Sequence, residues 1–202
     1  MKMNKLEKLA MNNPFRSLVQ RYYEAPLFER LGGRLEGLEV LEIGCGRGVG
    51  TEIIFNRFGA KRVTAIDLDE DMLKRARHRL ECFGEDKLRL KVGDVTMIDS
   101  ENETFDAVVN FAAIHHVPNW QKAIAEIFRV LRPGGRFYFQ EVTSQWINRW
   151  PYRFLFEHPQ ENRFSSKEFI AELERQGLEV GNNLIVRAGG DFIFGVGRRK
   201  IL

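Results

Sequence analysis

Apolar and polar positions switch between two periods along the chain. An apolar-rich run, 38–43, breaks into Gly44, Gly46, Gly48 and Gly50, a glycine at every second position. Ile53, Ile54, Phe55 and Phe58 follow at helical spacing and are closed by Gly59. The alternation then repeats. Residues 62–66 predict a second strand ending in Asp67-Leu68-Asp69, and Met72, Leu73, Ala76 and Leu80 predict a second helix. Residues 88–92 alternate as a strand does. Residues 105–111 predict a fourth strand, and Trp120, Ala123, Ile124, Ile127, Val130 and Leu131 mark the core face of the next helix. Arg132-Pro133-Gly134-Gly135 stops it, and a fifth strand is expected over 136–142. Ser165 and Glu168 have capping-box spacing ahead of Phe169, Ile170 and Leu173. Two last strands, near 178–187 and 192–199, are joined by Gly189-Gly190-Asp191 as an antiparallel hairpin. Strands alternating with helices predict a doubly wound α/β fold.

Two stretches lie outside this alternation. In 12–31, Pro14 opens a helix on which Phe15, Leu18, Val19 and Tyr22 share a face. Pro26 is expected to end or kink that helix, and Gly32-Gly33 to end the next. Residues 1–37 thus read either as a packed helical cover or as part of a lid that turns Tyr22 or Tyr23 toward a ligand. Residues 143–164 hold six aromatics, with Trp146, Ile147, Trp150 and Phe154 on one helical face. That face suits a core helix or a lid over an apolar substrate pocket. Its place beyond a strand's carboxyl end favours the lid, because ligands of such sheets bind there. The chain, 1–202, reads as one domain.

Composition narrows the classes. The chain is 44% apolar and 29% charged, as globular proteins are. A net charge of +3 is too mild to imply a nucleic-acid partner. No apolar run reaches the length of a membrane span, and 1–10 lacks the apolar core of a signal peptide. Cys45 and Cys82 fit neither a metal spacing nor a disulfide framework, so they read as reduced thiols of a cytoplasmic protein.

The glycine loop carries the first chemical signal. Its spacing fails the dinucleotide fingerprint, because position 49 is Val, and no Lys-Ser/Thr pair follows as a P-loop requires. A glycine loop before a helix still lets a ligand approach the backbone and the free N–H groups of the helix start. Asp67 stands at a strand end, where a carboxylate can accept from both hydroxyls of a ribose. Asp94, in Gly93-Asp94-Val95, suits an adenine amino group or a plain turn. His115-His116 follow the fourth strand without a third ligand at metal spacing, so no metal site is expected.

Together these segments resemble the class I S-adenosylmethionine-dependent methyltransferases, in the type 11 group typified by ubiquinone and menaquinone biosynthesis. The resemblance covers 38–142 through five motifs in order: 40–48, Ala-Ile-Asp-Leu-Asp at 65–69, Val-Gly-Asp-Val at 92–95, 105–109 running into His-His-Val-Pro, and 129–135. It implies a Rossmann-like methyltransferase sheet, mostly parallel and seven-stranded, with an antiparallel terminal hairpin. It assigns Gly44, Cys45, Gly46 and Gly48, with Glu42 before them, to the methionine end of S-adenosylmethionine. Asp67 would hold the ribose, Leu68 and Met72 would pack on the adenine, and Gly93, Asp94 and Val95 would read its edge. Asn110 and Phe111 would flank the sulfonium. The Asn/Asp-Pro-Pro-Tyr signature of amino-directed nucleic-acid methyltransferases is missing at 110–113, and the low net charge and small appendages disfavour a protein or RNA acceptor, so a small-molecule acceptor is expected. Candidate bases are His116, then His115, then Glu141. A nicotinamide-dependent oxidoreductase, a methyltransferase acting on protein or RNA, and a non-catalytic nucleoside-binding or assembly protein are the rival readings.

Overall fold

The computed structural model describes residues 13–147 and 162–201. Eight strands form one sheet: β1 (Glu39–Ile43), β2 (Arg62–Asp67), β3 (Leu88–Val92), β4 (Phe105–Phe111), β5 (Leu131–Val142), β6 (Leu178–Glu179), β7 (Leu184–Arg187) and β8 (Phe192–Arg199). Their order is β3-β2-β1-β4-β5-β8-β6, with β7 also paired to β8. The first five run parallel, and β8 is antiparallel to β5, β6 and β7.

The sheet has one strand more than expected. The single strand read over 178–187 is two, because the Asn183 N–H bonds back to the Val180 carbonyl and turns the chain between them. β5 also starts earlier than expected, at Leu131, where the backbone leaves the helix for an extended conformation (φ −73°, ψ 138°). A register shift between Phe105 and Ala107 then takes up Arg132-Pro133-Gly134-Gly135.

Alternation along the strands loads both faces. On one face Leu41, Ile43, Val108, Phe137 and Phe139 pack against α5 (Trp120–Val130) and α7 (Ser166–Arg175). On the other, Val40, Val63, Val109, Tyr138 and Val196 meet α3 (Val49–Asn56) and α2 (Ala25–Gly32), while Leu73 joins them from α4 (Glu70–Arg79). The capping box at the start of α7 is formed from both sides: Ser165 accepts the Glu168 N–H, and Glu168 accepts the Ser165 N–H.

The N-terminal segment departs most from its sequence pattern. α1 (Pro14–Val19) passes through a π-helical turn, Gln20–Glu24, into α2 without a break. Pro26 neither ends nor breaks this helix. The Ala25 N–H reaches back to the Gln20 carbonyl, and this wider turn makes room for a ring that would otherwise crowd the carbonyl four residues earlier. The apolar stripe faces outward: Phe15 is 71% and Tyr22 75% exposed. The polar stripe Arg16, Gln20, Glu24 faces inward, ending at a buried Glu24 that accepts from Arg16 at 2.9 Å.

Of the aromatic segment, Trp150, Tyr152, Phe154 and Phe156 lie outside the described residues. Its start, α6 (Ser144–Ile147), carries Trp146 half-buried against Phe192, with ring centroids 5.9 Å apart. Its last residue belongs to the core: Phe164 packs between Trp120 and Phe169.

Tyr138 clamps α2 to the sheet. Its hydroxyl donates to the Gly32 carbonyl at 2.7 Å and approaches that of Gly33 at 3.1 Å. Burial pushes this phenol up to about 12, so it remains a donor at physiological pH. Tyr138→Phe should therefore lose about 0.5–1.5 kcal/mol. Calorimetry should read this as a fall of about 2–4 °C in Tm per kcal/mol; an unchanged Tm would show that the clamp carries no stability.

Candidate functional site

The strand order reverses between β1 and β4, and the chain leaves these two strands toward opposite faces. A crevice must open at their carboxyl ends. Its walls are Ile43 to Arg47 with Val49 and Gly50 after β1, Ile66 to Asp69 with Met72 after β2, Gly93 and Val95 after β3, and Phe111 to Ala113 with His116 and Val117 after β4. Arg16 and Gln20 close it from the N-terminal helix.

The glycine loop is shaped by its neighbours. Gly44 has φ +64°, and a Cβ there would collide with Ala113 Cβ of the facing loop. Gly50 lies against the Glu42 carboxylate and the Phe111 ring, leaving no space for a side chain. The loop is tied down by Asp67, whose Oδ2 accepts from Gly46 N and whose Oδ1 accepts from Asp69 N, both at 2.8 Å. Arg47 links the loop to α1 through Ser17 Oγ at 2.6 Å and the Asn13 carbonyl at 3.1 Å. α3 begins directly at Gly48, so its first N–H groups open toward the crevice.

Four expected cofactor contacts do not line the crevice. Glu42 is buried beneath the loop and accepts from Thr51 Oγ1. Gly48 is buried at the helix start behind the lining residues. Asp94 spends Oδ1 on a turn, accepting the N–H and hydroxyl of Thr96 at 2.8 Å each. Asn110 is fully buried: its Nδ2 donates to Glu141 Oε1 at 2.6 Å and to the Gln140 carbonyl at 3.3 Å, and its Oδ1 accepts from Ala113 N.

The candidate bases separate likewise. Glu141 is wholly buried. Oε1 accepts from Asn110 and from Ile114 N, and Oε2 from His115 N at 3.3 Å and the His115 ring at 2.7 Å. This carboxylate holds the loop after β4 in place and does not reach the crevice, and His115 is buried with it. His116, whose ring centroid lies 4.1 Å from that of His115, is the imidazole on the crevice wall. Neither Tyr22 nor Tyr23 lines it; Tyr23 packs edge-on against Phe194 and accepts from Arg187 at 3.3 Å. Trp146 is also absent from the lining, and Trp150 lies outside the described residues.

Arg16 and Gln20 went unread in the sequence because the helix was oriented by its apolar stripe. Their signal is the i, i+4, i+8 spacing of polar residues completed by Glu24. Among the described residues, no cluster of His, Cys, Asp and Glu could hold a metal ion, and no helix is long and apolar enough to cross a membrane.

A cradle of backbone N–H groups, the Asp67 carboxylate on the crevice wall and an apolar wall of Ile66, Leu68, Met72 and Val95 fit an adenosyl group bearing a charged amino-acid end. Comparison with known proteins agrees. A type 11 methyltransferase-domain family matches residues 41–139. The chain is 34% identical over 145 residues to the demethylmenaquinone methyltransferase of Leptospira interrogans, covering 69% of this chain and 58% of that protein. It is 29% identical over 167 residues to the phthiotriol/phenolphthiotriol dimycocerosates methyltransferase of Mycobacterium leprae, covering 82% of this chain and 58% of that protein. The chain thus spans little more than half the length of these curated relatives. In fold it is similar to a solved S-adenosylmethionine-dependent methyltransferase from Aquifex aeolicus, at 21% identity, TM-score 0.73 and 98% coverage of both chains. The chain belongs to the class I S-adenosylmethionine-dependent methyltransferases, in the type 11 group, whose cofactor is S-adenosylmethionine.

Glu42 gives the site a pH dependence. Burial raises its pKa from 4.5 to about 8, against the Thr51 hydrogen bond, and the nearby Asp67 charge raises it further. The folded protein therefore holds a proton there that the unfolded chain releases. Stability from this group is complete below pH 4.5 and is lost as pH rises to about 8. Urea titrations between pH 5 and 8 should show stability falling with pH in the wild type and a flatter profile in Glu42→Gln. Identical slopes would mean that Glu42 is ionised in the fold.

Proposed function

We propose that this protein transfers the methyl group of S-adenosylmethionine to a small-molecule acceptor. The observation that carries this reading is the crevice at the β1/β4 reversal, opened at Gly44 and flanked by Asp67. When bound, the cofactor supplies a methyl group on a positively charged sulfur, open to in-line displacement by a nucleophile. Gly44 and Gly46 leave backbone within reach of its amino-acid end. Asp67, on the crevice wall, accepts from the ribose hydroxyls, and Leu68, Met72 and Val95 enclose the adenine. Phe111, Ala112 and Ala113 shape the wall beside the acceptor, with Ala112 held at φ +60° by its N–H bond to the Gln140 carbonyl. His116 is the side chain on that wall able to take a proton near neutral pH. His115 and Glu141 position it by fixing the loop it stands on.

Asp67→Ala should weaken S-adenosylmethionine binding roughly ten- to several-hundred-fold, because hydrogen bonds to a charged group contribute about 1.5–3 kcal/mol each. It also frees the Gly46 and Asp69 N–H groups that now order the loop. Titration calorimetry decides this, with NADH as control ligand. Unweakened binding by the mutant removes Asp67 from the ribose, and NADH binding in place of S-adenosylmethionine removes the methyltransferase reading.

His116→Ala should leave cofactor affinity nearly unchanged. It should slow transfer of labelled methyl from S-adenosylmethionine into a small-molecule extract by about 10²–10⁴-fold, the usual contribution of a general base. Equal loss of cofactor affinity would make His116 part of the cofactor wall, and an unlabelled extract with the wild type would favour a binding protein.

A further inference from the structure

In a doubly wound sheet each crossover usually brings a helix to one face. The crossover from β3 to β4, residues 93–104, brings none. Its Val95 and Ile98 join the core beside Ile66 and close the carboxyl half of the face that α5 and α7 cover farther along. The amino half, over β2 and β3, stays open. A hollow of about 330 Å³ lies there, bounded by the crossover at Ser100 and Thr104. That volume is at the lower end for small-molecule sites.

The side chains that face the hollow are mostly cationic. Val63 pairs with Leu88 and Thr64 with Arg89, so Arg62 falls opposite Lys87 and next to Arg89. Lys87, Arg89 and Lys91 stand at every second position and share that face with Arg62 and Thr64. All five line the hollow, where four cations meet two acids, Glu39 and Asp86. Arg62 donates to Glu39. Lys91 pairs with Asp99 at 3.2 Å on the surface, where such a pair contributes little. Among the described residues, neither Lys87 nor Arg89 has a side-chain hydrogen bond or ion pair. Like charges directly opposite on neighbouring strands are destabilising. The complement of this positive excess is an anion.

The spacing defines its kind. Alternate residues of a strand stand about 6.6 Å apart, so the row from Lys87 to Lys91 spans about 13 Å. A single phosphate can satisfy two neighbours but not the row, whereas linked phosphates can. The Arg89 fork at the centre suits phosphate oxygens. We propose that the uncovered face of β2 and β3 binds a small molecule bearing two or more linked phosphates, held by Lys87, Arg89 and Lys91 with Arg62 across the sheet. The site stands apart from the crevice, which opens at the carboxyl ends of the strands, and it does not depend on the methyltransferase reading.

The probes are tripolyphosphate, ATP and orthophosphate. They are titrated by calorimetry at low ionic strength into protein saturated with S-adenosylhomocysteine, which occupies the crevice. Tripolyphosphate should bind about tenfold or more tightly than orthophosphate, the value of one further hydrogen bond between charged groups. Tighter binding of ATP assigns the phosphates to a nucleotide, and equal binding assigns them to an inorganic chain; both support the site. Arg89→Gln and Lys87→Gln should each weaken tripolyphosphate about tenfold or more. Arg77→Gln removes the same charge from the exposed side of α4 and should change nothing. All three variants should keep the wild-type affinity for S-adenosylhomocysteine. No binding of tripolyphosphate, orthophosphate binding as tightly, or an equal loss in Arg77→Gln overturns the site. Failure of wild-type protein to bind S-adenosylhomocysteine counts against the methyltransferase reading alone, because the three variants still decide this site.

Discussion

The Glu141 carboxylate has no access to water, yet four donors converge on it from the end of β4 and the loop beyond. Hydrogen bonds to a buried charge are strong, and removing one partner strands the others. This one group sets where β4 stops being a strand. Asn110 is pulled toward β5, the Ile114 and His115 N–H groups are capped, and Ala112 and Ala113 are pressed toward Gly44. The glycine loop answers with backbone that has no Cβ to obstruct them. The crevice is the gap that two strand ends leave when one is held by a carboxylate and the other by the absence of side chains.

Asp67 does for β2 what Glu141 does for β4. It fixes the glycine loop and its own following turn through backbone N–H groups, and it does so on the wall of the crevice. The difference lies in burial. Glu141 is consumed by structure because its site is dry and every lone pair is needed. Asp67 is half-exposed and lines the crevice. The contrast explains why two acids at strand ends, equally suggestive on paper, divide into a buried scaffold group and a crevice-facing group.

How far the molecule was legible follows from the range of each signal. Periodicity is local, so 105–111 and 120–130 declared their elements, and Ser165 with Glu168 declared a cap. Gly44, Asp67 and Phe111 were readable as crevice residues because strand ends of a doubly wound sheet form its binding edge. The inward face of Asn110 was hidden, since its partner lies 31 residues later on another strand. The orientation of the N-terminal helix was misread for a different reason. An apolar stripe normally marks the buried face, but here Glu24 is buried as an acceptor for Arg16, and Arg16 and Gln20 line the crevice.

That inversion bears on stability as well as function. Burying Phe15, Leu18 and Tyr22 in place of a polar stripe would be the easier packing, since apolar burial stabilises at about 25 cal/mol per Å². A helix that forgoes this and buries a carboxylate instead gains no packing from the exchange. Strain and unsatisfied groups of this kind persist where the rest of the fold is strong enough to hold them, and they cluster at binding sites. The core beneath α2, with Phe28, Phe58 and Tyr138 fully buried on one face, supplies that strength. The π-helical turn is the local adjustment that makes the arrangement possible. It admits Pro26 and leaves Glu24 buried while α2 keeps Ala25, Leu27 and Phe28 buried. A regular α-helix through the same residues would drive the Pro26 ring against a carbonyl and could not serve both ends at once.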